Sequence, residues 1–221
     1  MKDSLSKVFG IGLSRTGTTS LTKALTELSY RSLHFPHDPL TQTELMRYYS
    51  DSSKPLVLTV AERYDALTDT PIASVFRELA NQYPTSRFIL TTRSEEKWLD
   101  SCEQYFARVM EPMYTRWGTA EAIRYCRAVN ARVYGSPHFN REAFRRTYTN
   151  HFRNVTRYFD RQPDRLLCVD ICDGQGWPEL CRFLNCAVPA VAFPSENRLA
   201  QAEAILAAAL RTFVSVRRTP S

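Results

Sequence analysis

The stretch Phe9-Gly10-Ile11-Gly12-Leu13-Ser14-Arg15-Thr16-Gly17-Thr18-Thr19-Ser20-Leu21 carries the strongest structural signal in this chain. An apolar run enters a glycine-bounded turn, and the turn opens into hydroxyl residues and then a helix. Gly12 and Gly17 bracket four residues, the G-x-x-x-x-G frame of a phosphate-binding loop. Such a loop works because its backbone N–H groups point inward and the following helix offers its positive end to an anion. Lysine usually comes next and reaches the terminal phosphates of a nucleoside triphosphate. Thr18 holds that place here, and the cation sits inside the loop instead, at Arg15. A tight strand-to-helix turn with capping hydroxyls is the plainer alternative. A dinucleotide fingerprint is a poor fit. Gly10-x-Gly12 begins it, but Arg15 fills the third position, where a small residue must let helix and strand pack.

On either side of this loop, strand and helix signals alternate. Residues 7–13 read as a buried strand and 18–28 as a helix with Leu21, Leu25 and Leu28 on one face. A short strand is expected at 30–35, closed by Pro36, then a helix at 40–49, a polar loop at 50–55 and a third strand at 65–68. Asp69-Thr70-Pro71 marks a helix start, because proline suits the first helical position and Asp or Thr before it caps. The helix expected at 72–82 carries Ile72, Val75, Phe76 and Leu79 at helical spacing, and Pro84 stops it. Residues 87–92 form the clearest strand, followed by Ser94-Glu95-Glu96, a cap residue and two acids at a positive helix end. Residues 97–162 read almost wholly as helix, with breaks near Pro112, Gly118 and 135–137, and are expected to form an α-helical cap beside the sheet edge. A strand at 166–171, a helix at 178–184, an extended stretch at 189–194 and an alanine-rich helix at 197–214 complete the chain. Strands alternating with helices imply an α/β fold with a parallel sheet, whose strands end on one edge where ligands bind.

The 221 residues suit a single domain over 1–221, and 43% hydrophobic with 24% charged residues is ordinary for a globular chain. A net charge of +6 favours an anionic ligand, with solubility as the plainer explanation. The basic residues are scattered, as in 141–161, and form no tail or compact patch for nucleic acid. Six cysteines stand with no C-x-x-C and no histidine pair at zinc spacing; Cys168 and Cys181 are expected to act as small apolar residues. The first seven residues lack an apolar signal core, and the apolar stretch 202–216 is interrupted by Glu203 and Arg211. The expectation is a cytoplasmic protein without a membrane span. The final helix is free to pack on the sheet or on a second copy of the chain.

A second signal lies at Arg93, at the end of a buried strand. If Ser94 caps the next helix, Ser101 falls two turns on, on the face of the cap. A guanidinium and a hydroxyl then converge on one anion near the sheet edge.

Loop and Arg/Ser pair together resemble the sulfotransferases that use 3′-phosphoadenosine 5′-phosphosulfate. In that family a (Lys or Arg)-x-Gly-Thr-(Thr or Ser) loop after the first strand binds the 5′-phosphosulfate; here it is Arg15-Thr16-Gly17-Thr18-Thr19. The family also places an Arg at a strand end with a Ser eight residues later, binding the 3′-phosphate, as at Arg93 and Ser101. Bacterial-type members add an Asp-x-Pro, here Asp69-Thr70-Pro71, and an Asp-Ile-Cys-like segment, here Asp170-Ile171-Cys172, so that the resemblance covers roughly residues 7–185. It implies a P-loop three-layer sandwich with a helical cap. It further implies that Ser14, Arg15, Thr16, Gly17, Thr18 and Thr19 hold the phosphosulfate, that Arg15 neutralises the leaving oxygen, and that no metal is required. Acceptor deprotonation falls to Asp69, which stands where cytosolic members carry a histidine; helix capping is the alternative role. The acceptor expected is a small molecule bearing a hydroxyl. His34 and His37 are candidates for the acceptor side, as are Trp98, Tyr105, Phe106, Tyr114 and Trp117, which at helical spacing serve equally as core. Asp170 and Asp173 contact ligand or cap the last helix of the match. The family's adenine-stacking aromatic and C-terminal basic motif have no clear counterpart. Two other readings are a P-loop nucleotide or small-molecule kinase and a non-catalytic nucleotide-binding module.

Overall fold

The computed structural model describes residues 6–112, 116 and 119–195. The helix expected at 197–214, and with it any packing on a second copy, lies outside them, as do Tyr114 and Trp117.

Five strands form one parallel sheet in the order β2-β3-β1-β4-β5. They are β1 (Val8–Gly10), β2 (Ser32–His34), β3 (Ala66–Thr68), β4 (Arg87–Thr91) and β5 (Leu166–Val169). Val8 pairs with Ala66 on one side and with Arg87 on the other, which sets the register of the three inner strands. Alternation along the strands splits their side chains between two cores. Val8, Ala66, Ile89 and Val169 face α1 (Thr18–Glu27) and a C-terminal helix, while Phe9, Leu67, Phe88 and Leu90 face the opposite layer. The result is the three-layer α/β sandwich expected.

The opposite layer holds α2 (Pro39–Ser50), α3 (Val60–Arg63), α4 (Thr70–Ala73), α5 (Phe76–Gln82), α6 (Glu95–Cys102) with its π-helical continuation Glu103–Met110, α7 (Ala120–Tyr134) and α8 (Arg141–Phe159). The helix expected at 72–82 is broken. Val75, with φ −126°, separates α4 from α5, and Ser74 Oγ donates to Pro71 O at 2.7 Å. A serine hydroxyl bonded to its own turn competes with helix propagation. Nor is 97–162 a separate cap. Its last helix, α8, lies on the sheet: Phe159 meets Phe88 at 4.8 Å between ring centroids, and buried Phe144 and Val155 share the core of β1 and β4. The cap proper is reduced to the π-helical stretch and α7.

Cys168 is exposed, contrary to its expected core role, because β5 is an edge strand. The C-terminal helix of the described fold, α9 (Trp177–Leu184), is capped by its own Glu179, which accepts from Gly176 N at 2.9 Å. Asp170 instead caps the 3₁₀ turn Ile171–Asp173, accepting from Asp173 N at 3.0 Å. Ser94 stands at the N-terminus of α6 but makes no capping bond.

Candidate active site

The carboxyl ends of the strands open into a cleft of about 1120 Å³. Ser14, Arg15, Gly17, Thr18, Thr19, Asp69, Arg93 and Ser101 all reach its wall. Thr16 does not: its hydroxyl donates to Leu13 O and contacts Thr91 Oγ1, each at 2.6 Å, so its side chain frames the loop from inside. Gly12 permits that packing, since a Cβ there would lie 1.9 Å from Thr91 Oγ1 and 2.8 Å from the Thr91 carbonyl. Gly17 takes φ 92° and precedes α1 without a side-chain cap. The first N–H groups of α1, at Thr18 and Thr19, therefore have no intrahelical acceptor and open toward the cleft.

Arg15 also adopts a left-handed backbone, φ 74°. Its Nε donates to Ser101 Oγ at 3.1 Å, and its guanidinium lies 4.9 Å above the Tyr105 ring. Burial lowers its pKa, while Tyr105 opposes that shift. Ser101 and Tyr105 are four residues apart on one helical face, so both reach a single side chain. Arg93 approaches from the end of β4. Its Nη1 donates to Arg15 O at 3.3 Å, and its peptide is gripped by Tyr148, whose hydroxyl accepts from Arg93 N at 2.9 Å and donates to Arg93 O. Arg93 Nε is buried with no hydrogen-bond partner among the described residues. The Arg/Ser pair expected from the spacing is thus built as Arg15–Ser101, with Arg93 beside it.

Asp69 is buried, with φ 81° and ψ −175°, a region that glycine favours. Its backbone N–H bonds Gly10 O at 3.1 Å. Oδ1 accepts from Ser14 Oγ at 2.6 Å, from Thr70 N at 2.7 Å and from Thr70 Oγ1 at 2.9 Å. Asp69 thus makes the capping contact of its alternative role, and its Oδ2 lies 2.9 Å from His34 Nε2, close enough for an ion pair though off the line of a hydrogen bond. His34 Nδ1 lies 3.3 Å from both Thr22 Oγ1 and Thr68 Oγ1. His37 is exposed at the mouth, its Nδ1 2.8 Å from Phe35 O.

Trp98 belongs to the core, its Nε1 donating to Ser14 O at 2.9 Å, while Phe106 packs in the core and also reaches the cleft wall. Asp173 does not line the cleft, and Asp170 is engaged in its turn, whereas Ile171 and Cys172 press on the loop at Gly17. Sequence reasoning missed Phe35, Tyr125 and Phe193 as wall residues. Phe35 alone carried a signal, its place directly after a strand. Among the described residues, no group of His, Cys, Asp and Glu is arranged to hold a metal ion, and no helix is long and apolar enough to cross a membrane.

Comparison with known proteins bears on this arrangement. A solved sulfotransferase from Alicyclobacillus acidocaldarius shares the fold with a TM-score of 0.50 and 14% identity, over 97% of this chain and 96% of that one. Ava biosynthesis cluster protein M of Aspergillus versicolor is 29% identical over 216 residues, 85% of this chain and 79% of its own length. The model of the sulfotransferase domain matches residues 7–202, a span that takes in every strand and every cleft residue named above. By that match the chain belongs to the sulfotransferase family.

Proposed function

We propose that this protein transfers a sulfuryl group from 3′-phosphoadenosine 5′-phosphosulfate to a hydroxyl of a small-molecule acceptor. The observation that carries the reading is the convergence of Arg93 and Arg15 on one cleft that also receives an uncapped helix N-terminus. Two guanidinium side chains and unbonded helix N–H groups on one cleft wall favour an anion. The residues fit a ligand with two separate anionic ends. Ser14, Gly17, Thr18 and Thr19 suit the 5′ end, with Thr16 shaping the loop beneath them; Arg93 and Ser101 suit the 3′-phosphate. Arg15 stands between and stabilises the charge that develops on the leaving oxygen.

The donor supplies an activated sulfuryl group. Asp69 Oδ2 accepts the acceptor's hydroxyl proton as that oxygen bonds to sulfur and the S–O bond to the 5′-phosphate breaks, its electron pair leaving on phosphate. Oδ1 already accepts three hydrogen bonds, which hold the carboxylate in place. An aspartate ordinarily titrates near ~3.9, so it acts only as the proton loosens in the transition state. A relative named for a biosynthesis cluster is in keeping with a small-molecule acceptor. Six free cysteines favour a reducing compartment, and the cytoplasm is the proposed one.

Isothermal titration with adenosine 3′,5′-bisphosphate tests the reading. Binding without magnesium is expected, and Arg93→Ala should weaken it at least ~10-fold. Preference for ATP with Mg²⁺ would favour a kinase, and donor binding without transfer to any acceptor would favour a binding module. Asp69→Asn should abolish transfer while the bisphosphate still binds; near-normal turnover would leave Asp69 as a cap alone.

A further inference from the structure

The strand order divides the cleft into two arms. Arg15 lies at its centre, after β1. Arg93 after β4 and Cys172, Gln175 and Phe193 beyond β5 lie on one side. Asp69 after β3, and His34 and Phe35 at the end of β2, lie on the other. With the donor's anionic ends assigned to the central loop and the β4 side, the β2–β3 arm is left for the acceptor.

That arm has a distinct chemistry. Its walls are Phe35, Phe106, Met110, Ala122, Tyr125 and Cys126, with the amides of Gln42 and Asn130 between them. Gln42 Nε2 donates to His37 O at 2.6 Å and Asn130 Nδ2 to Pro137 O at 3.4 Å. Beyond the Asp69–His34 pair, no Asp, Glu, Lys or Arg lines this arm among the described residues; Lys97 and Asp100 stand on the exposed lip along α6. The chain carries a net charge of +6, so this uncharged lining is a local property.

Phe35 is the second observation. It adopts φ 44°, a backbone region that bulky residues rarely enter. Its N–H donates to Thr68 O at 3.0 Å, which holds the turn directly beside Asp69. Its ring meets Tyr125 edge to face, 6.2 Å between centroids at 74°. The Tyr125 hydroxyl donates to Pro36 O at 2.7 Å and the residue is almost wholly buried, so its ring backs Phe35 at the cleft wall. Left-handed strain at a bulky residue persists where the surroundings impose it, and such residues cluster at ligand sites.

We infer that the β2–β3 arm takes an uncharged aromatic hydroxyl compound, whose ring packs on Phe35, itself backed by Tyr125, and whose hydroxyl reaches Asp69. The inference rests on the donor assignment above. An ionised acceptor would lose hydration in this arm and find no charged group there beyond the Asp69–His34 pair.

Titration of the bisphosphate-loaded protein with 2-naphthol, 6-hydroxy-2-naphthoate and tyramine tests it. The uncharged naphthol should bind at least ~30-fold more tightly than either ion. Phe35→Ala should weaken naphthol about 10-fold with the bisphosphate affinity unchanged. Ala122→Arg should invert the preference toward the naphthoate. Equal or tighter binding of an ion, no binding of naphthol, or an unchanged naphthol affinity in Phe35→Ala would overturn the inference and leave the donor reading standing. Failure of the unmodified protein to bind bisphosphate would overturn the donor reading itself and the acceptor assignment with it.

Discussion

Arg15 is held by two residues of one helical face, a hydroxyl at Ser101 and a ring at Tyr105. Stacking on an aromatic face restrains a guanidinium without occupying its outer N–H groups, which stay available for a developing anion. The ring and not the phenol should therefore matter. Tyr105→Phe is expected to keep full turnover, read as sulfate release from labelled donor with water as the acceptor. Tyr105→Leu should lower it about 2- to 30-fold while bisphosphate affinity holds. Equal damage from both substitutions would assign the effect to the hydroxyl. The sequence made Arg15 legible because the glycine-bounded turn is local, its glycines and hydroxyls lying within the eight positions 12–19. The partner that actually receives the Arg15 Nε–H lies 86 residues away, and spacing from Arg93 pointed Ser101 to a different arginine. The capping contact of Asp69 was legible, because Asp-Thr-Pro is a local helix-start pattern. The approach of His34 was not, since it depends on two strand ends becoming neighbours.

Among the elements, α8 does most to place the β4 side of the cleft. Tyr148 on α8 clasps both backbone groups of Arg93, beyond the last paired residue of β4. Removing the hydroxyl leaves a half-buried peptide unsatisfied at a point where no strand partner replaces it. Tyr148→Phe should cost about 1–3 kcal/mol in urea unfolding and weaken bisphosphate binding through a misplaced Arg93. Lost stability with unchanged binding would show that Arg93 needs no such clasp. The helical content of 97–162 was legible from its composition and breaks, but its division was not. Periodicity shows that a helix has an apolar face without showing what covers it, and in α8 the covering partner is the sheet. The break between α4 and α5 escaped for a related reason. Val75 fits the helical apolar spacing, and its side chain is buried as that spacing requires, while the backbone leaves the helix.

At the level of the whole molecule, His151 joins the outer layer to the central strand. Its Nε2 bonds Ile11 O at 2.7 Å, and burial lowers its pKa from the ordinary 6.5. A histidine kept neutral in the fold stabilises it above about pH 6.5, where folded and unfolded forms are both unprotonated. As pH falls below that value, the unfolded chain takes the proton first, and stability is lost down to the folded pKa. The urea midpoint should therefore drop between pH 7.5 and 5.5, and His151→Gln should flatten that drop. A drop unchanged in His151→Gln would place the acid sensitivity elsewhere.

The class of fold and the glycine-bounded turn follow from short-range patterns alone. Alternating apolar runs, a glycine pair five positions apart and a proline just inside a helix constrain the backbone wherever they occur, because each acts through its immediate neighbours. The site as a working arrangement is a different matter. Ser14 meets Asp69 across 55 residues, Arg93 meets Arg15 across 78, and Trp98 supports the Ser14 carbonyl across 84. These contacts exist because the sheet order β2-β3-β1-β4-β5 sets the ends of β3 and β4 on either side of β1. That order is settled by which faces bury one another when the whole chain packs, and no single stretch of residues carries that information.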